Sequence, residues 1–478
     1  MTTPTKNYKK ILITTAIDYT NDIIHIGHAY QKILADAVAR YYRSKIGENN
    51  VYYLTGTDEY GSTSEKAAKE RGLTPKEHVD EISAKDREQL DALNISYNRF
   101  IRTTDEDHKK TAQEVYLKAF NNGDIYKEKY EGFYCEGCES YKTISELDEK
   151  GQCVLHPTKQ IQKLEEENYF FKWAKYSEFL LKLLENPEFT LPDGRRREMI
   201  AFVKSGLKDI PVSRPKYKVS WGIDVPNDSE QVIYVWFDAL INYYTGGKSA
   251  GFWDEDTKII HILGKDNARW HALLWPAMLK SVGLKLPDTI YVHGFINLDG
   301  QKISKSLRNV IRPSELIQKY GVDAVRYYLL KHGPIVEDVD ISLKHFEEVY
   351  NGDLANGLGN TIARVAKLAE KSELGFPVTG SEENFSKLDR HMEKFRVDLA
   401  LSDIWKIIAD LDKHINENEP WKITDMSKLQ EVLSYEVSEI RKIAKIIEPF
   451  IPETAEKIQK QFGETRIRFE GSLFPRLG

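Results

Sequence analysis

Cysteine is scarce in this chain, and a net positive charge is missing. Only three cysteines occur among 478 residues, all of them between positions 135 and 153. An odd and locally clustered set does not suit a framework of disulfides and favours metal ligation. The formal net charge is -6, so the composition offers no overall basic surface for nucleic acid. Local basic patches remain compatible with this balance.

Long apolar runs and leader patterns are also lacking. No run approaches the roughly 20 apolar residues that span a membrane. The first ten residues have neither the apolar stretch of a secretory signal nor the Arg-rich pattern of an organellar presequence. We therefore expect a cytoplasmic protein with no membrane partner. With 41% hydrophobic and 30% charged residues, a chain of this length should form several globular domains.

The beginning of the chain alternates between strand and helix patterns. Residues 11–17 form an apolar, β-branched run, a helical stripe follows from Tyr30 to Tyr41, and residues 51–55 are again strand-like. A strand, a helix and a second strand in this order imply a parallel sheet. This is the opening of a nucleotide-binding fold.

Three later runs, 232–236, 259–263 and 289–292, are predicted strands that complete the sheet, with a helix over 268–282. Beyond about residue 350 helical spacing dominates, as over 401–415. We expect an α/β fold, a Rossmann-like doubly wound parallel sheet with an insertion that carries the cysteines, followed by an all-α domain. The predicted parts are a sheet domain (1–125 and 216–300), a connective insertion (126–215), a region that follows the sheet (301–350) and a helical domain (351–478).

The first chemical motif is His25-Ile26-Gly27-His28, at the start of the first predicted helix. A helix N-terminus presents unpaired N–H groups and a partial positive charge, which suit a polyphosphate. Two imidazoles can add donors, and Gly27 allows a nucleotide to approach closely. Ordinary histidines at a helix start would fit the same pattern, and nucleotidylyltransferases share it.

The second motif is Lys302-Ile303-Ser304-Lys305-Ser306, which follows a glycine-flanked segment after the last predicted strand. Two lysines with small hydroxyl spacers could close over a triphosphate, although a solvated basic loop is the simpler alternative. In this order the two motifs resemble the paired signatures of class I aminoacyl-tRNA synthetases, with Ile303 in place of the usual Met. In that family an amino-acid carboxylate attacks the α-phosphate of ATP, and Mg²⁺ is expected with the nucleotide.

A third pattern surrounds the cysteines. Cys135-x-x-Cys138 is followed, after fourteen residues, by Cys153-x-x-His156. Two short chelating pairs have the spacing of a closed, tetrahedral zinc knuckle, so the Zn²⁺ should be structural. The alternative, reduced cysteines packed as small apolar residues, fits poorly because Cys135 and Cys138 stand among Glu and Gly.

Further segments resemble methionyl-tRNA synthetases of the bacterial type with a single zinc knuckle: 16–21, 54–59, 234–239 and 262–266. The resemblance covers essentially the whole chain. It implies the substrates ATP, L-methionine and tRNA(Met), and three sets of residues. The catalytic residues would be His25, His28, Lys302 and Lys305, and the ATP-binding residues Gly27, Arg214, Asp266 and Ser304. The methionine-binding residues would be Ala16, Ile17, Tyr19, Asp58, Trp236, Ala239, Tyr243, Trp270 and His271, with Asp58 holding the ammonium group.

In the helical domain the resemblance implies a site for a CAU anticodon at Asn360, Arg364, Pro420 and Trp421. Unstacked bases can stack on an indole or a guanidinium, and an Asn can bond a base edge. Packing at a helix end is the alternative for Trp421. The chain ends soon after this domain, without a further tRNA-binding module, so we expect a monomer.

Three positions depart from the family pattern: Tyr60 stands for His, Asn267 for an apolar residue, and Asp18 for Pro or an aromatic residue. They concern the shape of the amino-acid pocket. Other class I synthetases, for cysteine or for isoleucine, leucine or valine, are the nearest alternatives, although the insertion is too short for the editing domain of the branched-chain enzymes. A catalytically silent tRNA-binding protein and a small-molecule nucleotidylyltransferase also remain open.

Overall fold

A computed structural model describes residues 8–138, 140–142, 146–154, 159–303, 310–378 and 385–477. The chain divides into two compact units. Unit 1 comprises Met1–Ile24, Ile46–Gln89 and Tyr97–His293, and unit 2 comprises His25–Lys45, Leu90–Ser96 and Gly294–Gly478. Both units are therefore built from segments that are distant in sequence.

The described strands are given first, in chain order. They are β1 (Lys10–Thr15), β2 (Asp18–Tyr19), β3 (Val51–Asp58), β4 (Arg99–Arg102), β5 (Ile125–Cys135), β6 (Ser140–Lys142), β7 (Ile161–Phe171), β8 (Thr190–Leu191), β9 (Ile210–Pro211), β10 (Ser213–Pro215), β11 (Asp224–Val225), β12 (Asp228–Ile233), β13 (Thr257–Gly264), β14 (Thr289–His293), β15 (Ile296–Leu298), β16 (Gln301–Lys302) and β17 (Val339–Ile341).

The described α-helices follow in the same order. They are α1 (Ile26–Ile46), α2 (Ser62–Glu70), α3 (Pro75–Ala92), α4 (Glu106–Asn121), α5 (Ser177–Leu183), α6 (Asp193–Lys204), α7 (Val235–Ser249), α8 (Trp275–Ser281), α9 (Pro313–Tyr320), α10 (Val322–His332), α11 (Leu343–Val349), α12 (Asn360–Ser372), α13 (Ser386–Glu393), α14 (Val397–Asn418), α15 (Met426–Ile447) and α16 (Pro452–Phe462). Two π-helical segments, Trp270–Leu274 and Tyr350–Gly359, lead into α8 and α12.

Seven of the described strands form the parallel sheet of unit 1. β1 lies between β3 and β13, β14 follows β13, and β8 follows β14, while β2 and β4 both pair with β3. In the middle of the sheet Ile13 pairs with Tyr53 on one side and with Ile260 on the other. Gly56 is required where β3 meets β4, because a Cβ there would lie 1.8 Å from the backbone oxygen of Ile101. The predicted parallel sheet is confirmed.

Smaller antiparallel sheets follow in the middle of the chain. β5 and β7 pair over eleven residues each, with β6 and β9 at the edges, and β12 lies between β10 and β11. The strand predicted over 232–236 is wrong in part: β12 ends at Ile233 and belongs to the second of these sheets, and α7 begins at Val235. A buried apolar run satisfies either period, so this stretch did not reveal where the strand stops.

Unit 2 combines α1 with the helices that follow residue 312 and with the sheet β16-β15-β17. Arg326 and Asp36, which are 290 residues apart, form an ion pair with both side chains fully buried. Arg326 also donates to the carbonyl oxygens of Leu93 and Phe450. A buried guanidinium thus ties three distant segments together through hydrogen bonds.

The C-terminal part of unit 2 is helical, as expected. The stripe predicted over 401–415 lies on α14, whose buried face includes Leu401, Ile408 and Ile415. Past β17 the described residues contain helices and loops only. None of the helices in the described ranges has the length and apolarity to cross a membrane.

Candidate active site

The carboxyl ends of the parallel strands carry several of the predicted site residues. Ala16 follows β1, Asp58 ends β3, and Asp266 lies just beyond β13. Parallel α/β sheets bind ligands outside this edge because the loops there converge. The Ala16 N–H donates to the Ile262 carbonyl oxygen over 3.3 Å, and Asp58 pairs with Tyr19 of β2. The adjacent ends of β3, β1 and β13 therefore bring Asp58, Ala16 and Asp266 to the same edge of the sheet.

Helix α7 and the π-helical segment supply aromatic side chains of unit 1. Trp236, Ala239 and Tyr243 share one face of α7, since they are three or four residues apart. The Trp236 ring stacks on Trp270 with 4.6 Å between centroids and meets Tyr19 edge-on at 6.3 Å. These contacts group Tyr19, Trp236 and Trp270 into one cluster. Ile17 differs, because it packs against a separate apolar cluster that includes Leu12.

His271 is held in one tautomer. Its Nδ1 lies 2.9 Å from the Asn267 carbonyl oxygen, which can only accept, so Nδ1 donates and carries the proton. Its Nε2 consequently accepts from the Tyr243 hydroxyl, 2.7 Å away. Burial lowers the pKa of His271 to about 4, a shift that the bond to Asn267 partly offsets. His271 is a neutral, oriented group at ordinary pH.

Two acidic residues, Asp58 and Asp18, lie near the hydrogen-bonded pair of Tyr243 and His271. Burial raises the pKa of Tyr243, and the charges of Asp58 and Asp18 act in the same direction. Asp58 is itself buried, 4% exposed. A buried carboxylate beside an aromatic cluster suits a ligand with a positive ammonium group and an apolar side chain.

The contacts of two of the three residues that depart from the family pattern are visible in the structure. Asn267 contributes its backbone carbonyl to His271, a group that any residue would offer. Tyr60 is buried and packs at 5.2 Å against Trp221. Neither contact opposes the expected pocket.

Arg214, predicted to lie near the nucleotide, is held by Glu166. Its Nε and Nη2 each donate to a Glu166 oxygen over 2.8 Å, and Lys218 lies 3.2 Å from the same carboxylate. The guanidinium also covers the Tyr134 ring at 4.5 Å. Burial raises the pKa of Glu166, but the charge and hydrogen bond of Arg214 outweigh it, and the net shift is downward.

The first signature motif belongs to unit 2. The Gly27 N–H donates to His25 Nδ1 over 3.0 Å, and the His25 N–H donates to His28 Nδ1 over 3.3 Å. Both Nδ1 atoms are therefore acceptors, so each neutral imidazole carries its proton on Nε2. The two rings lie 4.0 Å apart. A Cβ on Gly27 would lie 2.8 Å from His25 Cε1, which explains the glycine.

The second signature is described only at its start. Lys302 ends a hairpin whose turn, Asp299-Gly300, has positive φ at both residues, as a two-residue type I′ turn requires. The Gly300 N–H donates to Asp340, which anchors the turn on β17. Ser304 and Lys305 lie outside the described residues.

The three cysteines converge. Their sulfur atoms lie within 4.8 Å of one another, and Cys138 and Cys153 are 3.6 Å apart. Burial raises the pKa of the Cys138 thiol to about 12, while the neighbouring Lys142 lowers it. Three close sulfur ligands could hold a structural metal ion. His156 lies outside the described residues.

Lys142 was not anticipated from the sequence. Its side chain is only 2% exposed and faces Glu146 at 3.8 Å as well as Cys138. Three thiolates, a neutral imidazole and a divalent ion would carry a net charge of about -1, which a buried ammonium neutralises. Two lysines, Lys142 and Lys150, stand between the two chelating pairs, and this is the sequence signal that could have revealed a neutralising charge.

The predicted anticodon residues are partly assembled in unit 2. Arg364, one turn after Asn360 on α12, donates to Asp412 and Asn416 of α14, each over 2.7 Å. The Arg364 guanidinium lies 5.5 Å from the Trp421 ring, which is 49% exposed. An exposed indole beside a fixed guanidinium is a suitable stacking surface for a base. Pro420 is buried next to it.

Comparisons with known proteins agree on one family. A family model described as tRNA synthetases class I (M) matches residues 11–160 and 143–366. The methionine-tRNA ligase of Caldanaerobacter subterraneus subsp. tengcongensis is 40% identical over 96% of this chain and 74% of the relative, and that of Thermosynechococcus vestitus is 39% identical over 97% and 92%. The solved Mycobacterium tuberculosis methionyl-tRNA synthetase in complex with methionyl-adenylate is 33% identical, with a TM-score of 0.90 over 98% of this chain and 100% of that chain.

Proposed function

We propose residue roles for this chain, which belongs to the methionine-tRNA ligase family of class I aminoacyl-tRNA synthetases. As a member of that family the chain is an aminoacyl-tRNA ligase: it activates L-methionine with ATP to methionyl-adenylate, releases pyrophosphate and transfers the methionyl group to the 3′ end of tRNA. The roles that follow assign each step to side chains.

Methionine occupies the aromatic cluster of unit 1 in this proposal. Asp58 binds the ammonium group, and Tyr19, Trp236 and Trp270 surround the thioether, a polarisable group that favours aromatic neighbours. Tyr243 and His271 close the pocket, and Ala16 and Ala239 fill its remaining wall. Ile17 is assigned to the edge of the pocket, since its side chain packs against the cluster that includes Leu12. The observation that carries the proposal is the Tyr243–His271 hydrogen bond beside the stacked tryptophans, because it orients a neutral donor–acceptor pair within an apolar site.

ATP is bound by the start of α1 and by the second signature. His25 and His28 both carry their protons on Nε2, which suits donation to phosphate oxygens, and Gly27 lets the nucleotide approach. Lys302, Ser304 and Lys305 then act on the β- and γ-phosphates, where negative charge develops. Asp266 and Arg214, which belong to unit 1, are also assigned to nucleotide binding, and Mg²⁺ accompanies the triphosphate.

Rate enhancement in this scheme comes from alignment and from charge stabilisation. The methionine carboxylate oxygen attacks the α-phosphorus, the bond to the bridging oxygen of pyrophosphate breaks, and the electron pair leaves with pyrophosphate. No protein nucleophile is needed, so holding the reacting atoms in line supplies much of the effect. The histidines and lysines stabilise the departing charge.

The knuckle residues Cys135, Cys138, Cys153 and His156 bind one structural Zn²⁺. Thiolate sulfurs and an imidazole are the ligands that zinc prefers in closed tetrahedral sites. The proximity of the three sulfurs and the charge of Lys142 support this assignment. When bound, the ion holds the knuckle's fold together and takes no part in the reaction.

The partner nucleic acid is tRNA(Met), read at its CAU anticodon by Asn360, Arg364, Pro420 and Trp421. The exposed Trp421 ring beside the Arg364 guanidinium supports base stacking there. We further propose a monomer that acts in the cytoplasm. The domain boundaries proposed above, with a catalytic part at 1–125 and 216–300, an insertion at 126–215, a signature-loop region at 301–350 and a helical part at 351–478, complete the scheme.

Pyrophosphate exchange tests the amino-acid site. Tyr243→Phe removes the hydroxyl that orients the neutral His271 in the proposed pocket, so we expect the KM for methionine to rise roughly two- to 30-fold. Tyr244→Phe, at the adjacent tyrosine that packs on Trp253, is the matched control and should leave that KM unchanged. Exchange across all twenty amino acids should respond to methionine. Equal KM values in the two variants would contradict the pocket assignment.

A further inference from the structure

The metal knuckle and the proposed methionine pocket are joined by a closed circuit of contacts within unit 1. We call this circuit the knuckle ring. Each member touches the next, and the last returns to the first. Its members are, in order, Cys138, Lys142, Glu146, Arg269, Trp270 and Trp236.

One half of the knuckle ring is ionic. Lys142 hydrogen-bonds the Cys138 sulfur and lies 3.8 Å from Glu146. Glu146 accepts a hydrogen bond from Arg269 Nη1 over 2.5 Å. The two side chains of this last pair are 27% and 22% exposed, so water screens them less than a surface pair. Lys142, which lies beside the proposed metal ligand Cys138, is therefore linked through Glu146 to Arg269, the residue before Trp270.

The other half is aromatic. The Arg269 guanidinium lies 4.9 Å from the Trp270 ring, and Trp270 stacks on Trp236 at 4.6 Å with 20° between the ring planes. The Trp236 indole N–H then donates to the Cys138 carbonyl oxygen over 3.2 Å. Cys138 is thus connected to the proposed pocket in two ways. Its sulfur is linked to Trp270 through Lys142, Glu146 and Arg269, and its backbone carbonyl accepts directly from Trp236.

These contacts bear on how the aromatic wall is held. Trp236 has a single polar donor, and the knuckle backbone accepts it, so the orientation of the ring depends on where Cys138 lies. The position of Cys138 is in turn set by its sulfur, which needs the other ligands of the knuckle. A thioether packed against the two stacked indoles would lose contact as soon as either ring moved by about an ångström, because dispersion attraction falls steeply with distance.

We propose that Glu146 and Arg269 are positioning residues for methionine, and that the knuckle holds the Trp236–Trp270 wall in its binding geometry through the knuckle ring. This inference rests on the proposed methionine pocket. It assigns the knuckle a second task besides its own stability: the affinity for methionine depends on an intact metal site.

The test compares two glutamates of the same knuckle. Glu146→Ala breaks the ring, and Glu146→Asp keeps the carboxylate. Glu136→Ala removes a carboxylate of almost the same exposure, 26%, whose partner Lys66 lies outside the ring. The measured quantity is the dissociation constant for methionine, from the intrinsic tryptophan fluorescence of the purified, metal-loaded protein, followed by the KM values for methionine and ATP.

We expect Glu146→Ala to weaken methionine binding about three- to tenfold with an unchanged KM for ATP. Glu146→Asp should recover most of the affinity, and Glu136→Ala should match the unmodified protein. Arg269→Gln should give the same loss, without adding to that of Glu146→Ala. Removing the metal with a chelator should weaken methionine binding in the unmodified protein by at least as much, and by less in Glu146→Ala.

Two results would overturn the inference: methionine affinity unchanged in Glu146→Ala, or an equal loss in Glu136→Ala. Trp270→Ala separates this failure from failure of the pocket assignment. If Trp270→Ala abolishes methionine binding while Glu146→Ala is silent, only the knuckle ring is wrong. If Trp270→Ala is silent as well, the proposed pocket is wrong and the inference falls with it.

Discussion

Three of the buried histidines of unit 1 make this unit sensitive to acid. His108, His261 and His271 are each at most 2% exposed. Burial lowers the pKa of His108 to about 3 and that of His271 to about 4, and it lowers the pKa of His261 well below 6.5. The folded unit therefore keeps all three neutral, whereas the unfolded chain takes up protons below its ordinary pKa of about 6.5.

The direction and the size of the pH effect on the free energy of unfolding follow from this difference in protonation. Because the unfolded state binds more protons, the free energy of unfolding decreases as the pH falls from about 6.5 toward 4. At pH 5, His108 and His271 each account for about 2 kcal/mol, together about 4 kcal/mol, and His261 acts in the same direction. A loss of that size is a large part of the 5–15 kcal/mol that typically stabilises a domain.

Urea unfolding followed by tryptophan fluorescence, repeated between pH 7 and 4.5, measures this dependence. The slope against pH gives the number of protons taken up on unfolding. His108→Asn should lower that number by about one near pH 5, even if the variant is less stable throughout. His345→Asn, at a half-exposed imidazole of unit 2, serves as the control. A free energy of unfolding that stays flat between pH 6.5 and 5 would refute the reasoning.

Three further outcomes are expected. Arg326→Met leaves the Asp36 carboxylate buried without its main partner, so the free energy of unfolding of unit 2 should fall by about 3–5 kcal/mol, measured in urea. Adding Asp36→Asn should recover part of that loss, and no recovery would show that the ion pair is not the cause. Gly27→Ala forces the His25 ring to move, and should lower kcat/KM for ATP at least tenfold while the circular dichroism spectrum is unchanged. Trp421→Ala removes the stacking surface and should raise the KM for tRNA with a CAU anticodon by roughly five- to 150-fold, without affecting methionine-dependent pyrophosphate exchange.

Regular periodicity made the main elements predictable. The strand β1 and the helices α1 and α14 follow from spacing alone. β1 buries a continuous apolar run, and the two helices bury apolar residues at helical spacing over several turns. The strand predicted over 232–236 failed where the chain changes from β12 to α7. Tyr234 and Val235 are both buried, so hydrophobicity does not change at the boundary.

Contacts between distant segments were the part that the sequence could not predict. Glu146 and Arg269 are 123 residues apart, and no local pattern pairs them. Arg214 carried an expectation about the nucleotide, yet its bidentate partner Glu166 lies on another strand of the insertion. The tautomers of His25 and His28 also depend on backbone geometry, which residue types alone do not define.

The pairing of Asp36 with Arg326 imposes an order on folding while the chain is being synthesised. A ribosome adding about 5–20 residues per second needs roughly 15–60 s to pass from one to the other, given their separation of 290 residues. During that interval the strands of unit 1 can pair, because their segments end at His293. The helix that begins with the His25 motif must wait for its partner from the C-terminal half. Nascent chains are therefore expected to pair the strands of unit 1 first, and to complete the packing of α1 only after Arg326 has been made, about two-thirds of the way through translation.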